Sequence, residues 1–337
     1  MRKIAGAMAA TLAGAVLAAA SAASPLPSAD RVLEAMLAAP GVIDYEGTKV
    51  MTAVRGPRAE TVTVLEAYKR LGRLRLEFLS PDGLAGRLVV DDGAVAWQYE
   101  PAHHLVIQNP SFARPAFSPS VADIRRASLV AVLGREEVIG RPAIVVALEP
   151  REGGASRRYW VDEATGVVLR TEERDVAGQV VFTSFFTRIG FGLNVPTALF
   201  RFTPPAGARI LPLYVSGDPV ASPDALARQA GLSRAVPAAL PWGYRFRAGS
   251  VARRGALTLA SAVYSDGARA LTVFLAPAAR WPVPQVGAPH PVAGRMGRIV
   301  DVGYFRVLLW QAGATTAAVA GSLPADALAV VAEALAP

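Results

Sequence analysis

The residues that could do chemistry are few and poorly placed for it. Three histidines occur in 337 residues. His103 and His104 are adjacent and point to opposite faces if that segment is extended, which suits no shared ion. His290 stands between Pro289 and Pro291 in a loop-like stretch. The chain has no cysteine and no H-E-x-x-H, so neither a metal site nor another cofactor is expected. The acidic pairs Asp91-Asp92, Glu136-Glu137 and Glu172-Glu173 hold the residue types of a general acid and base. Each falls at a turn or an exposed strand end, where solvated carboxylates are ordinary. No nucleophile elbow or P-loop occurs, and Gly190-Phe191-Gly192 lacks the third glycine of a dinucleotide loop. Catalysis is therefore not expected; recognition is.

Aromatic residues point to what is recognised. Trp97, Tyr99, Phe78, Tyr159, Trp160, Phe182, Phe185 and Phe186 all fall in strand-like runs. Such residues either fill a core or wall an apolar cavity between a curved sheet and its helices, able to take an acyl chain. The candidate cavity residues are Leu76, Phe78, Trp97, Tyr99, Trp160, Phe182 and Phe185.

The elements that must position them are mainly strands. Ile139 to Leu211 reads as a meander, with runs 141–150, 157–162, 167–174 and 179–186 separated by glycine turns. Upstream, period-two alternation marks strands over 45–54, 60–70, 73–79, 86–91, 94–100 and 103–108, and 109–119 reads as a loop or lid. Helices are expected at 29–39, stopped by Pro40-Gly41, and at 120–133. About ten strands and two helices in 29–212 favour a large antiparallel sheet with helices on one side. Gly217-Asp218-Pro219 and Ser222-Pro223 mark a linker with a short helix at 224–230. Beyond it, strands at 241–247, 257–265, 270–275, 298–302, 304–311 and 315–320 precede a terminal helix, and Asp266-Gly267 signals a hairpin. The fold class is α+β, divided as 1–23, 24–212, 213–235 (linker) and 236–337.

Residues 1–23 have the layout of a secretory signal. Arg2 and Lys3 precede an apolar run to about Ala20, with Ala20-Ser21-Ala22 or Ser21-Ala22-Ala23 as the cleavage site. An uncleaved anchor is the alternative. Lys and Arg exceed Asp and Glu by 35 to 27, a net charge of +8 that favours membrane surfaces, acidic lipids or acidic proteins. The basic residues are scattered singly or in pairs, so nucleic acid is not implied.

Several motifs resemble a known family. Val138-Ile139-Gly140-Arg141-Pro142, Leu148-Glu149-Pro150 and Tyr159-Trp160-Val161-Asp162-Glu163-Ala164-Thr165-Gly166-Val167-Val168-Leu169-Arg170 look like the MucB/RseB proteins, periplasmic regulators of an envelope-stress sigma factor. Leu240-Pro241-Trp242-Gly243-Tyr244, Val263-Tyr264-Ser265-Asp266-Gly267, Val273-Phe274-Leu275 and the end from Val319 to Pro324 are similar to their smaller C-terminal domain. The N-terminal half also resembles LolA-type lipoprotein carriers. The resemblance implies a half-open antiparallel β-barrel covered by helices, then an α+β domain, in a periplasmic protein. It implies a membrane-spanning anti-sigma factor (RseA/MucA-like) as the partner, shielded from proteolysis and released when lipopolysaccharide or another lipid binds. A LolA-like carrier of lipoproteins or lipids is the second reading. No family residue role carries over, and the Pro- and Arg-rich segment from Ala276 to Arg298 departs from the family, so the partner surface does not carry over either.

Overall fold

The computed structural model describes residues 25–335, except 56–57, 112–117, 193, 213–216, 234, 284, 286 and 302–305. The expected secretory segment 1–23 lies outside the described residues, as does most of the loop expected at 109–119. No described helix is long and apolar enough to cross a membrane.

The first helix, α1 (Ala29–Val42), starts where Ser28 accepts a hydrogen bond from the Arg31 amide, with Asp30 in the first turn favoured by the helix dipole. It runs three residues beyond the expected stop, with Pro40 in its last turn, and the Pro40 carbonyl accepts from the Tyr68 hydroxyl. Eleven strands follow before residue 192: β1 (Tyr45–Arg55), β2 (Arg58–Lys69), β3 (Arg73–Ser80), β4 (Leu88–Asp91), β5 (Val95–Glu100), β6 (Leu105–Pro110), β7 (Ser128–Val138), β8 (Arg141–Pro150), β9 (Ser156–Asp162), β10 (Val168–Arg174) and β11 (Val180–Phe191). With β12 (Arg209–Pro212) they form a twelve-stranded sheet ordered β12-β6-β5-β4-β3-β2-β1-β11-β10-β9-β8-β7. Its two ends do not pair with each other, so the sheet is not closed into a barrel. Of the meander read over 139–211, the part to Phe191 is present as the neighbours β8 to β11, whereas Thr197–Phe200 is a short 3-10 helix and β12 pairs parallel with β6 at the other edge.

Residues 120–133 do not form one helix. A capping box between Ser120 and Asp123 starts α2 (Val121–Ala127), which ends at Ser128. From there exposure alternates residue by residue through Leu133, and Val130 and Val132 face Leu148 and Val146 of β8. Pairing along the whole of β8 wins over helical spacing.

The remainder forms a second sheet: β13 (Asp218–Val220), β14 (Ala239–Leu240), β15 (Tyr244–Arg254), β16 (Leu257–Ser265), β17 (Ala270–Pro277), β18 (Ala288–Val292), β19 (Arg295–Asp301), β20 (Arg306–Ala312) and β21 (Thr315–Gly321). Its order is β13-β15-β16-β17-β21-β20-β19-β18, with β14 on β15. Two helices, α3 (Pro223–Ala230) and α4 (Ala325–Leu335), pack on it through Leu226, Leu328 and Val331. Thus β13 and α3, in the stretch read from sequence as a linker, belong to this sheet's core: Leu226 is fully buried beside Tyr244 and Tyr264. Burying each such side chain stabilises the fold by about 1.5–3 kcal/mol.

Candidate functional site

The cross-strand register decides which side chains share a face. Met51 faces Val62, Val64 faces Phe78, Leu76 faces Val89, and Val89 faces Gln98. Gln98 faces Ile107 on β6. In the other direction Ala53 faces Phe182, Phe182 faces Glu173, Glu173 faces Arg157, and Arg157 faces Leu148. All lie on one face, because directly paired residues point the same way. This face is the covered one. At β7 to β9 it is filled by α1 and α2, through Val32, Leu33, Ile124, Ile144, Val146, Leu148 and Val161.

The second sheet meets the covered face in two places. On one side, Leu105 and Ile107 of β6 join Leu259, Phe274, Trp281, Val307 and Leu309 in a single buried apolar cluster. On the other, the β16–β17 turn reaches β9 and β10. There the Arg157 guanidinium donates to Asp266 at 2.8 Å, and Arg269 pairs with Glu173. Asp266 also shapes its own turn, its Oδ1 accepting from the amides of Ala268 and Arg269. Burial opposes the charge on Arg157, and Asp266 beside it outweighs that, raising its pKa. Burial, then the neighbouring Arg157 charge, push the pKa of Arg269 down. Burial, reinforced by Asp266, also pushes the Tyr244 phenol up. Gly267 fits at φ +91°, where an added Cβ would lie 2.5 Å from Ala127 Cβ and 2.9 Å from the Asp123 carbonyl oxygen.

Between these two contacts lies a cavity of about 360 Å³. Its apolar wall includes Met51, Leu74, Leu76 and Phe182, and its polar wall includes the Lys49–Glu66 ion pair (2.6 Å), Glu173 and Arg269. A second space of about 810 Å³ adjoins it along Val54, Val181 and Pro324 and is lined by Arg87, Glu100, His103 and His290. Both lie within the size range of small-molecule sites. The open space is roofed by the second sheet, whereas the sequence suggested a hollow beneath the helices.

The seven candidate residues divide by face. Leu76 and Phe182 line the smaller cavity, and Phe78 is buried in the cluster around Leu76 and Val64. The other four lie on the opposite face. Trp97 and Tyr99 pack against Phe202, with ring centroids 6.0 and 6.2 Å away. Trp160 is buried with Ala143 and Val145, its indole donates to Glu136 at 2.7 Å, and Arg170 lies over its ring. Phe185 is 37% exposed. Reasoning from sequence missed Glu173, Arg157, Asp266 and Arg269. Their signal was present only as a hairpin turn and an acidic pair, and nothing local joins residues 109 positions apart.

Most members of the acidic pairs, and two of the three histidines, have structural partners. Asp91 is buried and accepts from Ser111, while Asp92 caps the β4–β5 turn. Glu172 pairs with Arg174. His103 and His104 lie in the turn before β6 rather than in the strand, and the His104 ring sits 3.0 Å from the Ala206 carbonyl oxygen. His290 approaches Asp326 at 3.7 Å. No group of three His, Cys, Asp or Glu among the described residues is placed to hold a metal.

Comparison with known proteins adds the relationship. The whole fold is similar to that of MucB, with a TM-score of 0.56 at 18% identity over 92% of this chain and 98% of the other. It is also similar to the Pseudomonas aeruginosa MucA/MucB complex structure, with a TM-score of 0.51 at 18% identity over 90% and 97%. The structure of MucB in complex with MucA(peri) gives 0.50 at 19% identity over 92% and 99%. No curated protein sequence matches the chain. The family model for the MucB/RseB N-terminal domain matches residues 28–201, more than half of the sequence, and this chain belongs to the MucB/RseB family.

Proposed function

We propose that the protein is a non-enzymatic periplasmic regulator that binds a membrane-spanning anti-sigma factor and protects it from proteolysis. Membership of the MucB/RseB family carries this reading. The similarity to MucB, whose structure is known in complex with MucA(peri), supports it because it extends over both sheets. Residues 24–212 act as one unit, resembling a half-open barrel, and the second sheet with β13 and α3 acts as the other. The signal that releases the partner is a lipid. Its acyl part lies against Met51, Leu74, Leu76 and Phe182 in the smaller cavity, and its polar part faces the ion pairs and the adjoining polar space. The net charge of +8 favours an anionic amphiphile or partner.

The test is a cross-linking pull-down from membranes with the tagged, exported protein. A single-span anti-sigma factor should be recovered, and adding lipopolysaccharide should reduce its yield. Recovery of acylated lipoproteins in its place would overturn the regulator reading in favour of a carrier.

A further inference from the structure

The charges at the ionic contact are distributed so that each sheet carries one of each sign. Arg157 and Glu173 stand directly opposite one another on β9 and β10 of the first sheet. Asp266 and Arg269 belong to one turn of the second sheet, and the Arg269 amide already donates to Asp266. The pairing is nevertheless crosswise, Arg157 with Asp266 and Arg269 with Glu173. The four side chains are only 4%, 10%, 13% and 6% exposed, in the order Arg157, Asp266, Arg269 and Glu173.

We propose that this contact is a two-position joint: closed, with the crosswise pairs, and open, with Arg157 re-paired to Glu173 and Asp266 to Arg269 within their own sheets. Breaking a buried ion pair is costly when a charge is left without a partner. Here no charge need be left so. Cross-strand neighbours of opposite sign are already within reach on β9 and β10, and the turn brings Asp266 and Arg269 three residues apart. A contact with both arginines on one sheet and both carboxylates on the other would strand like charges on opening and would stay shut. The apolar cluster around Leu105, Ile107 and Phe274, at the other contact, serves as the pivot. A third bridge, Arg245 to Glu152 at 2.8 Å, is exposed on both sides and adds little restraint.

The joint's role as a switch rests on the amphiphile reading above. Glu173 and Arg269 both stand in the wall of the 360 Å³ cavity. An amphiphile whose head group competes for Arg269 takes the cation from Glu173 and favours the open position, where Glu173 meets Arg157 and Asp266 keeps the amides of Ala268 and Arg269. Ligand and joint are then coupled through one side-chain pair, which supplies the differential contact a population shift requires.

The absence of cysteine in the sequence makes the test clean. Cysteines placed at Val176 and Met296, which are 80% and 69% exposed and lie on different sheets, take a nitroxide pair for pulsed dipolar distance measurements on the full chain. Palmitate serves as the amphiphile, with its binding measured separately by calorimetry. Arg269→Gln should raise the open-to-closed ratio by about a hundredfold without palmitate: Glu173 is then buried unpaired in the closed position, whereas in the open one it meets Arg157 and Asp266 keeps the amides of Ala268 and Arg269. Glu173→Gln strands Arg269 in the closed position and Arg157 in the open one, so it should leave the ratio near wild type. The exchange Arg157→Glu with Glu173→Arg keeps the pair within the first sheet, sets like charges crosswise, and carries the opening arm should Arg269→Gln fail to fold. The exchange Glu173→Arg with Arg269→Glu keeps both crosswise pairs but removes both internal re-pairings, so it should stay closed with palmitate present. Wild-type distances in Arg269→Gln and in the Arg157–Glu173 exchange, a hundredfold opening in Glu173→Gln, or a Glu173–Arg269 exchange that opens freely would overturn the joint. Lack of palmitate binding alongside the expected distances would overturn the amphiphile reading and leave the joint standing.

Discussion

The second sheet touches the first at two places that differ in kind. The contact at β6 is apolar: Leu105 and Ile107 meet Phe274, Trp281, Val307 and Leu309. The contact at β9 and β10 is built from four charges and a tightly seated glycine turn. An apolar contact gains in proportion to area and tolerates small rotations. A buried ionic contact depends on direction and on the exclusion of water, and it changes sharply once one partner moves. The difference teaches where motion between the sheets is accommodated and where it is gated.

The largest effect should come from the apolar side. Phe274 is 4% exposed within that cluster, and Phe274→Ala removes a ring from a packed region. The expected loss is about 3–5 kcal/mol, read as a lower denaturation midpoint. A loss below about 1 kcal/mol would mean that the two sheets do not depend on this cluster for their joint stability.

Next comes Gly267→Ala at the ionic contact. A Cβ there meets Ala127 and the Asp123 carbonyl, and the residue would be held at positive φ. A strained backbone conformation alone costs on the order of 1–3 kcal/mol. The turn should lift away from α2, so hydrogen exchange should speed up in α2 and in the turn while the Phe274 cluster stays protected. Gly313, at φ +61° with nothing within 4 Å, is the control. Gly313→Ala bears only the backbone cost, about 1–2 kcal/mol, and should leave exchange in α2 unchanged. Equal exchange profiles for the two variants would remove the claim that the turn's seat matters.

Why these contacts escaped a reading of the sequence follows from particular residues. The meander from Arg141 to Phe191 was legible because its alternation and its glycine turns agree. The first edge strand, β7, was hidden because Ile124, Leu129 and Val132 also fit helical spacing, and only pairing with β8 decides. The cavity was half legible. On β5 the aromatics Trp97 and Tyr99 alternate with Ala96, Gln98 and Glu100, and hydrophobicity assigns the aromatics to the interior. The register turns the smaller and polar set toward the covered face, where Glu100 pairs with Arg87, and Phe202 covers the aromatics from outside. A face with buried ion pairs cannot be recognised from alternation, because its polar residues look solvent-facing. The ionic contact was least legible, since it joins residues that only the tertiary fold brings together.

The smallest effect sharpens the comparison by supplying a carboxylate whose partners all lie in one sheet. Asp162, at the β9–β10 turn, accepts from Arg141 at 2.6 and 3.1 Å and from the Thr165 amide and hydroxyl. Burial opposes its charge, but the hydrogen bonds and the Arg141 cation prevail, so its pKa lies below the usual carboxylate value. A folded pKa below the unfolded one, about 3.9, means that stability is fully present above about pH 4 and is lost as the pH falls through the lower folded value. Asp162→Asn should therefore melt below wild type at neutral pH, and the gap should close as the pH drops below about 4. Because the described partners of Asp162 all lie in the first sheet, the substitution should leave the distance between labels at Val176 and Met296 unchanged at pH 7. Arg269→Gln should change that distance at the same pH. Were Asp162→Asn to open the sheets as well, control of the joint could not reside in the crosswise pairs alone, and any weakening of β9 and β10 would suffice.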